Sequence, residues 1–136
     1  MATAEEEAIS KILASAKTVA VVGLSAKPHR ASYGVTQTLQ SSGYRIFPVN
    51  PNEDEVLGEK CYARLEDIPE KIDIVDIFRR PEFVPEIVDA AIRVGARTIW
   101  MQEGVEDETS AKRARAAGLF VIMDNCIAKE IYKRHK

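Results

Sequence analysis

Basic and small polar residues directly follow an apolar run in the stretch VVGLSAKPHRASYG, which begins at Val21. The apolar run ends at Gly23, and a helical pattern follows the turn. Glycine lets the backbone turn sharply and approach a phosphate, and the amino end of the next helix favours an anion. Lys27, His29 and Arg30 add positive charge to the turn. These features favour a phosphate site, and the alternative is a solvated surface turn.

Two other classes of phosphate-handling protein can be tested on the same residues. A dinucleotide-binding turn carries G-x-G-x-x-G, and an acidic residue ends its second strand. Here the turn reads GLSAKPHRASYG and the second strand ends in Asn50, so both positions disfavour an NAD(P)-binding redox enzyme or sensor, which stays the main alternative. A phosphoacceptor receiver domain needs acidic residues after the first strand and an aspartate after the third. The third strand runs into Phe78, Arg79 and Arg80 instead, which excludes a receiver domain.

Short apolar runs alternate with helical patterns along the whole chain, which is typical of a parallel sheet covered by helices on both faces. We predict an α/β, doubly wound, Rossmann-like domain over residues 1–136, with five parallel strands in the order 3-2-1-4-5. Pro48 in the second strand lacks an amide donor and is unusual in the central position that this order requires. The predicted strands are TVAVVG, YRIFPVN, DIVDIF, TIWM and LFVIM. The predicted helices cover a leading segment around Ile9–Ala16, then about 32–42, 84–94, 107–117 and 127–134.

Such sheets bind their ligands beyond the carboxyl ends of the strands, near a switch point beside the first strand. The chemistry is therefore expected where the strands end. These places are Gly23–Arg30, Asn50–Asn52, Phe78–Arg80, Gln102–Gly104 and Asp124–Cys126.

Composition limits the classes of function. The formal net charge of -2 and the absence of a long Lys/Arg run argue against nucleic-acid binding. The amino end MATAEEEAIS is acidic, and no apolar run approaches the roughly 20 residues that cross a bilayer. Cys61 and Cys126 lie far apart without a CxxC pair, which indicates neither a disulfide framework nor a metal site. We expect a cytoplasmic protein that binds no membrane.

Five short segments in order, each at a predicted strand end, resemble the small CoA-binding proteins. These proteins look like the free-standing nucleotide-binding domain of the succinyl-CoA synthetase α subunit. The segments are VVGLSAKPHRASYG, PVNPN, IFRRPE, WMQEGVED and MDNC, and the resemblance runs from Thr18 over nearly the whole remaining chain. It implies a Rossmann-like fold with coenzyme A or an acyl-CoA as the ligand.

The resemblance also implies which residues contact that ligand. The first turn would wrap the CoA phosphates, and the VNPN turn would pass along the adenosine. Residues after the third and fourth strands would flank the pantetheine, with Cys126 towards the thiol end. The implied contacts are Gly23, Ser25, Lys27, Pro28 and Arg30, then Asn50, Pro51 and Asn52, then Phe78 and Arg79, and finally Gln102, Glu103 and Cys126.

One feature of the synthetase has no counterpart here. The synthetase carries its phosphorylated histidine in a second domain, and neither His29 nor His135 is placed to replace it. We therefore expect a binding protein without catalytic residues, which delivers, senses or protects CoA or serves a protein partner in trans. A further alternative is an interaction module with a vestigial pocket. The oligomeric state is left open by the sequence.

Overall fold

Five parallel strands form the central sheet of the computed structural model, which describes residues 2–134. His135 lies outside the described residues. The strands are β1 Thr18–Val22, β2 Arg45–Val49, β3 Ile74–Ile77, β4 Thr98–Met101 and β5 Phe120–Ile122. The helices are α1 Ala4–Ser15, α2 Ala31–Ser41, α3 Val84–Val94, α4 Glu108–Ala116 and α5 Ile127–Arg134. The predicted class, an α/β fold with a five-stranded parallel sheet, is confirmed.

The predicted strand order 3-2-1-4-5 is wrong, because the sheet has the order β2-β1-β3-β4-β5. β3 pairs with the free edge of β1, and β2 becomes an edge strand. Pro48 explains this arrangement: a proline cannot donate to a neighbouring strand, so it is accepted at an edge and not in the middle of a sheet. The switch point of this order lies between β1 and β3.

The connection from β2 to β3, which has no clear apolar periodicity and favours a loop with a short helical turn near LEDIP, contains further short elements. A short antiparallel pair joins Glu55–Val56 to Glu59–Lys60, and a turn of 3-10 helix covers Leu65–Asp67, near the helical turn expected there. Between them, Tyr62 forms an isolated bridge with Val49 on the outer edge of β2. The Tyr62 N–H donates to Pro48 O at 2.9 Å, and the Asn50 N–H donates to Tyr62 O at 2.9 Å.

Helices cover both faces of the sheet because the strands are apolar on both sides, as buried parallel strands are. One face packs against α3 and α4, whose apolar stripes include Val84, Val88 and Ala111. The other face packs against α1, α2 and α5 through residues such as Ile9 and Leu39. Within residues 2–134, no helix is long and apolar enough to cross a membrane. The helices on both faces leave the carboxyl ends of the strands together at one end of the sheet, where the candidate site lies.

Candidate functional site

The turn after β1 is held in a fixed conformation by short-range hydrogen bonds. Gly23 has a φ of 88°, in the left-handed region that favours glycine. The Ser25 N–H donates to Ser32 Oγ at 3.0 Å, and the Lys27 N–H donates to Ser25 Oγ at 3.1 Å. Because Ser32 lies in the first turn of α2, these bonds fix the turn against the amino end of that helix.

The amino end of α2 opens into a cavity that we call the turn cavity, with a volume of about 380 Å³. The first N–H groups of a helix have no acceptor within it, so those of Ala31 and Ser32 are available to an anion. Lys27 and Arg30 line the same cavity, and neither has an ion-pair partner among the residues that the structure describes. The full lining is Gly23, Ser25, Lys27, Arg30, Ala31, Ser32 and Phe78.

Asn50 connects the turns that follow β1 and β2. Its Nδ2 donates to Leu24 O at 2.9 Å, while its Oδ1 accepts from the Asn52 N–H at 2.9 Å. Both ends of the amide are therefore used within the protein. At the end of β2, Asn50 fixes the spacing of two turns at the site.

The ends of β1 and β3 touch at the switch point. A Cβ placed on Gly23 would lie 2.7 Å from Phe78 O and 2.9 Å from Arg79 Cδ. Arg79 extends from there over the Phe83 ring, with its Cζ 4.1 Å from the ring centroid. Arg79 has no acidic partner among the described residues, so its positive charge is held at the site by a cation–π contact.

The segment before α5 is anchored to the sheet by two side chains of β4 and its extension. Trp100 Nε1 donates to Asn125 O at 2.9 Å, and Gln102 Oε1 accepts from the Ile127 N–H at 3.2 Å. Cys126 lies between these two anchors and is 7% exposed. Gln102 is 4% exposed, and its amide N–H groups are not used in that bond.

Two further cavities continue from the turn cavity. The cysteine cavity has a volume of about 430 Å³ and shares Ala31 and Phe78 with the turn cavity. The arginine cavity, of about 330 Å³, shares Arg79 with the cysteine cavity. The cysteine cavity is lined by Ala31, Val35, residues 78–81, residues 102–105 and Cys126. The arginine cavity is lined by Val22, Val49, Pro51, residues 63–66, Arg79, Glu86, Ile87, Ala90 and Arg93. Because neighbouring cavities share lining residues, the three lie side by side at the strand ends, and we call them together the crevice.

Some charged side chains around the crevice form ion pairs and others have no partner of opposite charge in the described chain. Arg93 is held by Glu66 at 2.7 Å, and this hydrogen bond lowers the pKa of the Glu66 carboxyl. Glu103 pairs with Lys129 at 2.8 Å, which raises the pKa of the Lys129 ammonium group. Lys27, Arg30 and Arg79 have no such acid within the described part of the chain. The crevice therefore offers unneutralised positive charge chiefly between the turn cavity and the cysteine cavity.

Most of the sequence-predicted site residues line this crevice. Three of them do not line a cavity: Pro28 and Asn52 are exposed turn residues, and the Asn50 side chain is engaged with Leu24 and Asn52. The residues that the structure places on the crevice wall are Gly23, Ser25, Lys27, Arg30, Pro51, Phe78, Arg79, Gln102, Glu103 and Cys126. Which of these contact a ligand stays a prediction. Among residues 2–134, no cluster of His, Cys, Asp and Glu suits a metal ion.

Sequence reasoning missed two residues near the site. Ser32 is buried and accepts the hydrogen bond from the Ser25 N–H, although its position near the helix start gave a signal. Asp76 is fully buried in β3, and neither of its carboxyl oxygens has a hydrogen-bond partner among the described residues. An acid within the apolar run DIVDIF was the available signal for Asp76.

Another cavity, of about 330 Å³, lies at the opposite end of the sheet, beside the amino ends of the strands. Its walls come from α1 and from the amino ends of the strands, including Asp73, Thr98 and Phe120. The amino end of α1 beside it is already capped, because Thr3 Oγ1 accepts from the Glu6 N–H at 3.0 Å. This cavity lies away from the carboxyl ends of the strands, where ligands of such sheets bind, so the strand-end crevice is the candidate site.

Comparison with known proteins identifies the family of the chain. A family described as a CoA binding domain matches residues 17–132. The chain is 42% identical over 119 residues to the uncharacterized protein YneT of Bacillus subtilis, with 88% of each chain covered. A hypothetical protein of Pyrococcus horikoshii has the same fold, with a TM-score of 0.93 and 39% identity over 96% of this chain and 92% of that one.

The chain also resembles part of a larger enzyme. It is 32% identical over 95 residues to an ADP-forming acetate–CoA ligase of Archaeoglobus fulgidus, which covers 68% of this chain and only 14% of the ligase. The family match covers most of the chain, and the strand-end crevice lies within the matched residues. The chain therefore belongs to the CoA-binding domain family.

Proposed function

We propose that this protein binds coenzyme A or an acyl-CoA in the strand-end crevice and performs no chemistry on it alone. The observation that carries the proposal is that the turn cavity and the cysteine cavity adjoin and share Ala31 and Phe78. A ligand whose phosphate lies at the α2 amino end could thus extend past Ala31 and Phe78 into the partly apolar cysteine cavity. A long ligand with phosphate groups at one end and an uncharged arm at the other fits this arrangement.

Charge supports CoA over NAD. CoA carries a ribose 3′-phosphate in addition to its diphosphate, so its site needs more cationic groups and no carboxylate facing the ribose. Lys27, Arg30 and Arg79 supply cations without acidic partners in the described chain, and Asn50 stands where an NAD site would have an acid. On this proposal the arginine cavity, beside Pro51, would receive the adenosine.

The proposal is tested by thermal unfolding in the presence of CoA, acetyl-CoA, NAD and NADP. At a CoA concentration of about 100 times Kd, linkage gives roughly 2.7 kcal/mol, which raises Tm by several degrees. We expect this shift with CoA or acetyl-CoA and little shift with NAD or NADP. A shift with NAD and none with CoA would contradict the proposal and favour the dinucleotide alternative. Failure of all four ligands would favour an interaction module.

A charge reversal locates the site. Lys27→Glu should remove most of the CoA-induced shift, because a charge-assisted phosphate contact is worth roughly 1.5–3 kcal/mol, about ten- to a hundredfold in affinity. The fold should survive, since Lys27 belongs to an exposed turn. Lys11→Glu, on α1 at the opposite end of the sheet, is the matched control and should leave the shift intact. If both variants lose the CoA-induced shift equally, CoA binding depends only on the net charge of the protein and not on the turn cavity.

A further inference from the structure

Asp76 is an acid in the middle of the sheet. Its side chain is 0% exposed, and neither carboxyl oxygen has a hydrogen-bond partner among the described residues. Its neighbours in register are Val21 on β1 and Trp100 on β4. Buried polar groups are nearly always hydrogen-bonded, so an unpartnered carboxyl group demands a physical explanation.

Strand geometry places Asp76 beneath the crevice. Alternate residues of a strand share a face, so Asp76 lies on the face of Ile74 and Phe78, which α1, α2 and α5 cover. Phe78 lines both the turn cavity and the cysteine cavity. On the neighbouring strand, Trp100 and Gln102 share this face and hold the segment Asn125–Ile127.

Within residues 2–134, no charge on this face compensates an ionised Asp76. Its strand neighbours Val21 and Trp100 are uncharged, and the charged side chains of α1 are exposed. The buried or half-buried titratable groups on this side of the sheet include Tyr33, Tyr44, Cys61, Cys126 and Glu130, and Glu130 already pairs with Arg134 at 2.8 Å. Burial is the cause that raises the pKa of the Asp76 carboxyl well above its ordinary value. The closed structure therefore holds the neutral acid, because an unpaired buried carboxylate is strongly unfavourable.

We propose that Asp76 is a positioning residue for the cysteine cavity: its neutral form lets Asn125–Ile127 close over the sheet, and its ionisation opens that segment. Ionisation requires water to reach the carboxylate. Three hydrogen bonds hold the covering segment to the sheet: Trp100 Nε1 donates to Asn125 O at 2.9 Å, the Asn125 N–H donates to Met101 O at 3.2 Å, and the Ile127 N–H donates to Gln102 Oε1 at 3.2 Å. The segment leads into α5, which has eight residues. Because Cys126 lies in this segment, its opening changes the wall of the crevice.

Trp100 reports this step without any ligand, because it is the one tryptophan of the sequence and lies beside Asp76. Its fluorescence should change as the pH rises above the ordinary aspartate range near 3.9. In Asp76→Asn, an isosteric stand-in for the neutral acid, the spectrum should stay that of the closed form. Asp76→Val is a second variant with the same expectation, in case the amide disturbs folding.

Glu130→Gln is the matched control, because Glu130 is the other largely buried acid on this side of the sheet. Burial alone would raise the pKa of Glu130, but hydrogen bonds from Arg134 and Asn125 outweigh it and lower that pKa. The fluorescence transition should therefore persist in Glu130→Gln. A flat profile in the wild-type protein between pH 5 and about pH 9, or an unchanged transition in both Asp76 variants, would overturn the inference.

A second arm, which rests on the proposed function, measures the affinity for CoA against pH. Linkage to one proton weakens wild-type binding by up to tenfold per pH unit above the transition, and not in Asp76→Asn. Titration of the CoA phosphates affects both proteins and cancels in their ratio. If CoA fails to bind at any pH, the proposed function fails while the fluorescence result stands. If CoA binds with the same pH profile in both proteins, the inference fails and the proposed function stands.

Discussion

Gly23 allows the ends of β1 and β3 to meet at the crevice. Its φ of 88° suits glycine, and the space that a Cβ would need is taken by the backbone of Phe78 and the side chain of Arg79. The Phe78 carbonyl is part of the backbone and cannot rotate away as a flexible side chain would. Any side chain at position 23 would therefore push β3 away from the turn.

We expect Gly23→Ala to lower the free energy of unfolding by more than the roughly 1–2 kcal/mol that left-handed strain alone costs. Binding of CoA should weaken as well, because the turn and Arg79 would separate. Gly43→Ala is the control: Gly43 has a φ of 95°, but a Cβ added to it would meet no described atom within 4 Å. Urea unfolding and calorimetric titration with CoA measure the two effects. Equal destabilisation in the two variants, with unchanged affinity, would contradict the role given to the close approach.

Individual residues of the site differ in how far the sequence predicts them. The glycine turn and its cations are predicted because their chemistry is local: a turn, a helix start and nearby charges occur within a few residues. Asp76 could not be predicted as an unpartnered acid, because its isolation depends on what three other elements place around it. The role of Asn50 is intermediate, since its position was predicted but its partner Leu24 lies 26 residues away.

At the scale of elements, the crevice depends on the alignment of two turns. Asn50 fixes the turn after β2 to the turn after β1 through its two amide hydrogen bonds. One of these bonds is partly shielded from water and the other is exposed. The side chain therefore sets the geometry of the turns even where it does not touch a ligand.

Asn50→Ala should destabilise the protein by about 1–2 kcal/mol, because a neutral hydrogen bond contributes roughly 0.5–1.5 kcal/mol. The affinity for CoA should fall with it. Asn52→Ala is the stability control, because only the backbone N–H of Asn52 takes part in the described hydrogen bonds. Chemical unfolding of both variants measures the difference. A loss of stability in Asn52→Ala as large as in Asn50→Ala would show that the amide bonds of Asn50 carry no special weight.

The order of the strands shows where sequence reasoning about elements ends. Every strand of the sheet and every helix longer than one turn was predicted from the pattern of apolar residues. Burial of one or both faces of an element imposes that pattern on the sequence. Periodicity does not say which edge of β1 receives β3. Pro48 held that information, since its missing N–H suits an edge strand, but the preference for the 3-2-1-4-5 order outweighed it.

At the scale of the whole molecule, the described crevice has more groups suited to binding a ligand than groups suited to reacting with it. The crevice has cations, a helix amino end and apolar wall residues such as Phe78 and Val105. Among the described residues, no histidine or carboxylate is hydrogen-bonded to the Cys126 thiol, whereas an activated nucleophile is usually held by such a base. The proposed function therefore rests on the binding groups of the crevice wall.

We expect the purified chain neither to hydrolyse acetyl-CoA nor to form it from acetate, CoA and a nucleoside triphosphate. Chromatographic separation of CoA and acetyl-CoA over time measures both reactions. A mixture with an ADP-forming ligase provides the positive control for the assay. Turnover that survives repurification and disappears in Lys27→Glu would show that the chain is itself an enzyme.

The bridge between Tyr62 and Val49 also bears on how the protein behaves at high concentration. An open sheet edge is a template on which another chain can add a strand and start aggregation. On the β2 side, Tyr62 occupies Pro48 O and the Asn50 N–H, and the proline ring offers no donor. On the opposite side β5 is only three residues long. Both edges thus offer little backbone to an incoming strand, which protects the sheet from fibrous self-association even when the crevice is empty.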